Sequence, residues 1–220
     1  MKRIRLSDRL LPTYTKGEEI MNMVTHIVGA ALGLLALPLC LMKSNDLPDV
    51  LGSVIYSVCM IALYTMSSVY HGLRPGMAKK VMQVIDHCTI YLLIAGSYSG
   101  VLLCAMCKTY PALGWGLLIF EWALTVLAIT LTAIDLKRYE VFSMVCYIGM
   151  GWAVIPFWRQ TMDTLGAVGF WLLLLGGIAY TIGAVLYGLG TKRKWMHSVF
   201  HIFVVLGSLL QFLCIYLYAL

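Results

Sequence analysis

KRKWMHSVFHIFVVLGSLLQF, residues 192–212, decides the fold. Three basic residues, Lys192, Arg193 and Lys194, abut a run that stays apolar to the end of the chain. Roughly 20 apolar residues in a helix cross a hydrocarbon core of about 30 Å, and a basic flank marks the cytoplasmic end. At the start of this run stand His197 and His201, four residues apart and therefore on one helix face. A segment suited to lipid thus carries two metal-ligating imidazoles where it enters the bilayer.

The same pattern recurs along the chain. Of 220 residues, 61% are hydrophobic and 12% charged, against about a quarter charged in soluble domains. The protein is therefore an all-α integral membrane protein. Apolar runs give seven spans, at 20–42, 50–71, 82–107, 112–134, 141–158, 165–189 and 196–219, separated by KSNDLPD, GLRPGMAKK, KTYP, DLKRYE, WRQTMD and GTKRK. Connections this short make successive helices antiparallel neighbours in one bundle. Residues 1–17 form a basic arm and residues 18–220 a single transmembrane domain. The arm lacks the charge, short apolar stretch and small-residue order of a signal peptide, so the first span is expected to stay as an uncleaved anchor.

The net charge of +6 sits in the arm and the short loops. It orients the protein and predicts no nucleic-acid partner. The arm and the loops after spans two, four and six hold thirteen Lys and Arg residues, whereas the opposite side has only Lys43, Lys108 and Arg159. The positive-inside rule puts the N-terminus in the cytoplasm and the C-terminus outside.

With that orientation all five histidines (His26, His71, His87, His197 and His201) fall in the cytoplasmic leaflet, together with Asp86. A charged residue at the centre of a span costs about 2.5–3.5 kcal/mol, so such residues turn toward the bundle interior. The set predicts a polar cup at the cytoplasmic face. Three histidines and an open position are a familiar catalytic zinc arrangement. His197 and His201 supply two ligands, and spacing does not choose the third among His71, His87 and His26. Asp86 and His87 differ by about 100° of helical rotation, so both do not face the cup equally. Ser67, four residues before His71, is placed to hydrogen-bond that imidazole or a bound water. The seven cysteines, including the Cys104/Cys107 pair, lie in spans and read as packing residues.

EEIMNMVTHIVGAALG, SSVYHGL, IDHCTIYLLIAGSYSG, GMGWAVIP and HSVFHIFVVLGSLLQF occur in this order along the chain. As a set they resemble the hemolysin III branch of the progestin and adipoQ receptor family, which is grouped with alkaline ceramidases. The resemblance implies seven helices in a cell membrane, bacterial in type, and Zn2+ held by His71, His197 and His201. It implies that Ser67 and Asp86 contact the zinc-bound water, and that Glu19, Asn22 and His26 line the site or join helices. Glu121, in LIFEWALTV, matches no part of the pattern. Three functions follow as expectations: a zinc-dependent hydrolase acting on an amide or ester bond of a membrane lipid with an acyl chain, a cytolysin whose pore forms within or between copies of a homo-oligomer, or a regulator of membrane state with structural zinc.

Overall fold

The first helix, α1 (Lys16–Lys43), shows how the bundle is built. Its buried residues are Glu18, Asn22, His26, Gly29, Gly33, Ala36 and Cys40, three or four apart, so one stripe faces inward. Leu34 and Leu35, on other faces, are 61% exposed. A capping box starts the helix: the Thr15 hydroxyl accepts the Glu18 N–H, and Glu18 Oε2 accepts the Thr15 N–H at 2.9 Å. The other Glu18 oxygen accepts the Trp195 N–H at 2.7 Å. The start of α1 is thereby tied to the start of the last helix.

The computed structural model describes residues 5–190 and 193–220. Lys2, Arg3 and Lys192 of the orienting charges lie outside the described residues. After α1 come α2 (Leu47–Gly72), α3 (Met77–Val101), α4 (Pro111–Ile134), α5 (Glu140–Gly151), α6 (Trp158–Gly190) and α7 (Met196–Cys214). One-turn π-helical extensions, Leu102–Met106 and Ile215–Ala219, lengthen α3 and α7. Sequential neighbours pack as the short connections require: α1 on α2, α2 on α3, α3 on α4 and α6 on α7. Helix α7 also packs back on α1 and closes the bundle.

Among the described residues, six helical stretches are long and apolar enough to cross a membrane. The expected fifth and sixth spans fall within one of them, Glu140–Gly188. The expected loop, WRQTMD, is itself helical, and the backbone breaks on either side of it. Turn residues 152–154 lead into a 3-10 turn at Ile155–Phe157, and Gly166 sits at φ 69°, ψ 169° inside α6. Side-chain contacts follow the chain through this stretch. Tyr147 bonds to the His87 carbonyl near one end of the bundle, and Asp163 accepts from Tyr110 near the other. Beyond Gly166, Cys214 Sγ meets the Gly169 carbonyl, and Tyr187 returns to His87.

The two ends of the bundle differ in chemistry. Away from the histidines, Lys108 bridges Asp46 at 2.9 Å and Asp49 at 2.6 Å, fixing the end of α3 to the start of α2. Between the ends, the Tyr64 and Tyr180 hydroxyls meet on Ser208 Oγ at 2.7 and 2.8 Å. Gly29 permits this packing, since a Cβ there would stand 2.5 Å from the Tyr64 ring.

The dihedrals of Gly166 belong to a region that is open essentially only to glycine. No atom lies within 4 Å of a Cβ built there, so a substitution tests the backbone alone. Gly166→Ala is expected to cost about 1–3 kcal/mol, read as a lower melting temperature in detergent. An alanine variant as stable as the parent would remove the special role of this residue.

Candidate metal centre

Three helices bring the site together. His71 is at the end of α2, and His197 and His201 are in the first turns of α7. Their nearest ring nitrogens lie within 4.8 Å of one another. His197 Nε2 is 3.1 Å from His201 Nε2 and 3.4 Å from His71 Nε2. Helix α1 supplies what fixes the rings. His201 Nδ1 is 3.1 Å from the Asn22 carbonyl oxygen, which only accepts, so the proton sits on Nδ1. His71 Nδ1 is 2.7 Å from Glu19 Oε2, and the same reasoning protonates it there. Both Nε2 lone pairs therefore point at the His197 nitrogen, and one N–H on His197 cannot satisfy two such acceptors. Three converging nitrogens with too few protons among them suit a cation.

Glu19 was only loosely placed by the sequence and turns out to be the carboxylate that orients His71. Its second oxygen accepts from Lys79 Nζ at 2.6 Å. The Ser67 hydroxyl hydrogen-bonds the Asp86 carboxylate across the α2–α3 contact. Asn22 Oδ1 accepts from Ser198 at 2.6 Å, a third link from α1 to α7. His26 and His87 stand outside the triad. His26 stacks on His201 with ring centroids 3.7 Å apart, and neither of its nitrogens has a partner among the described residues. His87 Nδ1 donates to the Gln83 carbonyl, and Nε2 faces the Tyr187 hydroxyl. Glu121 is near the middle of α4, fully buried, and neither of its oxygens has a described partner. It takes no part in the cluster.

Tyr14, from the arm, covers the open side. Its ring stacks on His197 at 4.9 Å and leans on His71 at 5.8 Å. Burial, with Tyr187 and Glu19 nearby, pushes its pKa up, so the phenol keeps its proton. On the inner side a cavity of about 160 Å³ opens. Ser67, Asp86, His197 and His201 line its polar end, and Leu102, Val154, Phe170 and Gln211 its far end. His201 and Gln211 are separated by roughly 15 Å of helix at about 1.5 Å per residue. Both Asp86 and His87 reach this cavity, although a helical wheel sets them apart.

Residues 14–212 match the family described as Haemolysin-III related. The chain belongs to that family. It is 36% identical over 206 residues to Hemolysin-3 of Bacillus cereus, covering 92% of each chain. It is 34% identical over 208 residues to the Hemolysin-3 homolog of Bacillus subtilis (strain 168), covering 93% of this chain and 96% of that one. A more distant relative is the human Monocyte to macrophage differentiation factor, 23% identical over 209 residues, or 91% of this chain and 84% of that one. The matched region includes the histidine triad, Asp86, Ser67 and the residues of α1 that hold them.

Lys79 is 2% exposed and its ammonium is answered by Glu19, with the Leu73 carbonyl as a second acceptor. Removing one partner of a buried pair costs about 3–5 kcal/mol, because the other charge is left stranded. Glu19→Ala is expected to destabilise the protein strongly in thermal melts, whereas Glu19→Ala combined with Lys79→Met recovers most of the loss. Additive losses in the double variant would show that the two residues act independently.

Proposed function

We propose that this haemolysin-III family membrane protein crosses the bilayer seven times and acts as a zinc-dependent hydrolase of lipid amide or ester bonds. Its N-terminus and histidine cluster lie at the cytoplasmic face. The observation that carries the reading is the convergence of three Nε2 atoms at the polar end of an apolar cavity. Reversal of the chain at Gly166 supports the seventh crossing. The excess of Lys and Arg at the histidine end supports the orientation.

The donor set fits zinc: imidazole nitrogens on His71, His197 and His201, with the His71 and His201 rings each held by a hydrogen bond to α1 on the far side. When bound, zinc polarises a carbonyl and lowers the pKa of water toward 7. Asp86 then accepts the proton of the water that adds to the scissile carbonyl carbon. It returns that proton to the nitrogen or oxygen of the leaving group as the carbonyl carbon–heteroatom bond breaks, so a fatty acid and an amine or alcohol are released. Ser67 orients Asp86 by donating to its carboxylate. The apolar wall from Leu102 to Phe170 receives the acyl chain and keeps bulk water away from the reacting end.

A structural role for the zinc has one observation in its favour. The ligands come from α2 and α7, whose other links include the Tyr56 and Tyr64 hydroxyls to α7. A metal would staple those two helices. The two readings separate on Asp86, which stands outside the ligand triad. Asp86→Asn is expected to leave zinc content unchanged and to lower turnover of a lipid-amide panel by about 10²-fold or more. His201→Ala is expected to lose both metal and activity. A zinc-loaded parent with no turnover across a broad panel, together with a sharp fall in melting temperature on chelation, would favour the staple. Conductance in reconstituted bilayers that survives loss of all three histidines would favour a cytolysin, with the pore formed in a homo-oligomer.

A further inference from the structure

On the same end of the bundle as the histidines, the arm closes a second pocket that the hydrolase reading does not use. Arg5 and Arg9 line one side, and Val81, Val84 and Ile85 of α3 with Ile134 of α4 line the other. The arm is held there by its own bond to α3: Lys80 Nζ donates to the Ser7 carbonyl beside the short 3-10 turn Leu6–Asp8. Arg5 stands exposed at the rim. Arg9 does not: it is 9% exposed, and its Nε and Nη1 have no partner among the described residues.

A buried guanidinium with unused N–H groups needs an acceptor. Asp135 lies near enough to act electrostatically on Arg9, but neither Arg9 Nε nor Nη1 is bonded to it. That leaves donors and positive charge for an anion. A planar guanidinium matches phosphate oxygens in bidentate fashion. The opposite wall has a different preference. Val81, Ile85 and Ile134 are 40%, 36% and 46% exposed and continue into the lipid-facing surface. The occupant must therefore pair a negative head with an apolar tail in one molecule, and inorganic phosphate meets only half of that demand. Basic pockets between helices at a cytoplasmic membrane face bind anionic lipid headgroups on the same physical grounds.

We propose that this pocket binds an anionic phospholipid, with its phosphate on Arg9 and Arg5 and an acyl chain along Val84, Ile85 and Ile134. The test uses delipidated full-length protein in detergent. It is titrated with phosphatidylglycerol, with phosphatidylcholine of the same chains, and with inorganic phosphate. Bound lipid is counted by native mass spectrometry and the melting temperature is followed in parallel. The parent is expected to bind phosphatidylglycerol at least about fivefold more tightly than phosphatidylcholine, and to be unaffected by phosphate. Arg9→Met removes the preference, and Arg5→Gln, at the exposed rim, reduces it severalfold without disturbing the fold. Equal binding of the two lipids by the parent, or full preference retained in both variants, overturns the proposal. Stabilisation by inorganic phosphate equal to that by phosphatidylglycerol overturns the lipid assignment.

Discussion

Polar side chains inside a bundle surrounded by hydrocarbon have no water to turn to, so each must find its partner within the protein. Helix α1 carries Glu18, Glu19, Asn22 and His26 in its first turns, and three of the four are answered from other helices. Glu18 takes the Trp195 N–H, Glu19 takes His71 and Lys79, and Asn22 takes Ser198 and His201. Each pairing is a requirement of burial, and together they set the rotation and height of α2, α3 and α7 against α1. The convergence of the three Nε2 atoms follows from that registration. A short stretch of one helix thus orients the histidine cluster.

Much of this architecture was legible in the sequence because hydropathy reports depth directly. The long apolar helices, the gathering of histidines at one end and the cysteines' places within helices all follow from where apolar runs begin and stop. The stretch at the start of α6 shows the limit of that signal. WRQTMD contains polar and charged residues and reads as a loop, yet Asp163 and Thr164 stay helical and pair with Tyr110 and Thr109. The helix instead breaks at Gly166, whose φ 69°, ψ 169° lie in a region open essentially only to glycine. Polarity marks proximity to the interface, while conformational freedom decides where the chain turns.

The histidine cluster was legible as residue types and only partly as partners. An i, i+4 spacing puts Ser67 beside His71 on one face of α2, but it does not say what the facing helix presents. Helix α3 offers Asp86 to Ser67, and α1 offers Glu19 to His71. Lys79 misled in the same way. In a count of loop charges it looks like an orienting residue at the interface, yet it is buried and ion-paired. Charge counts weigh residues by sequence position. Burial depends on which neighbours arrive, and those neighbours come from other helices, up to 60 positions away in the chain.

The distribution of polarity along the bundle axis bears on what the cavity can hold. At its middle, the hydroxyls of Tyr64 and Tyr180 are both spent on Ser208, and the Trp152 N–H is spent on Thr181. Such groups stabilise the helix contacts and leave little for a file of water molecules, each of which needs two to four partners. At the end away from the histidines, Lys108 is consumed by Asp46 and Asp49, and Lys43 by the Tyr216 carbonyl. At the histidine end the ring nitrogens converge and Asp86 faces the cavity, while at the far end Gln211 is the polar residue of a mostly apolar wall. A space that is reactive at one end and apolar beyond it suits a molecule with one hydrolysable head and one long tail better than it suits a hydrated ion in transit.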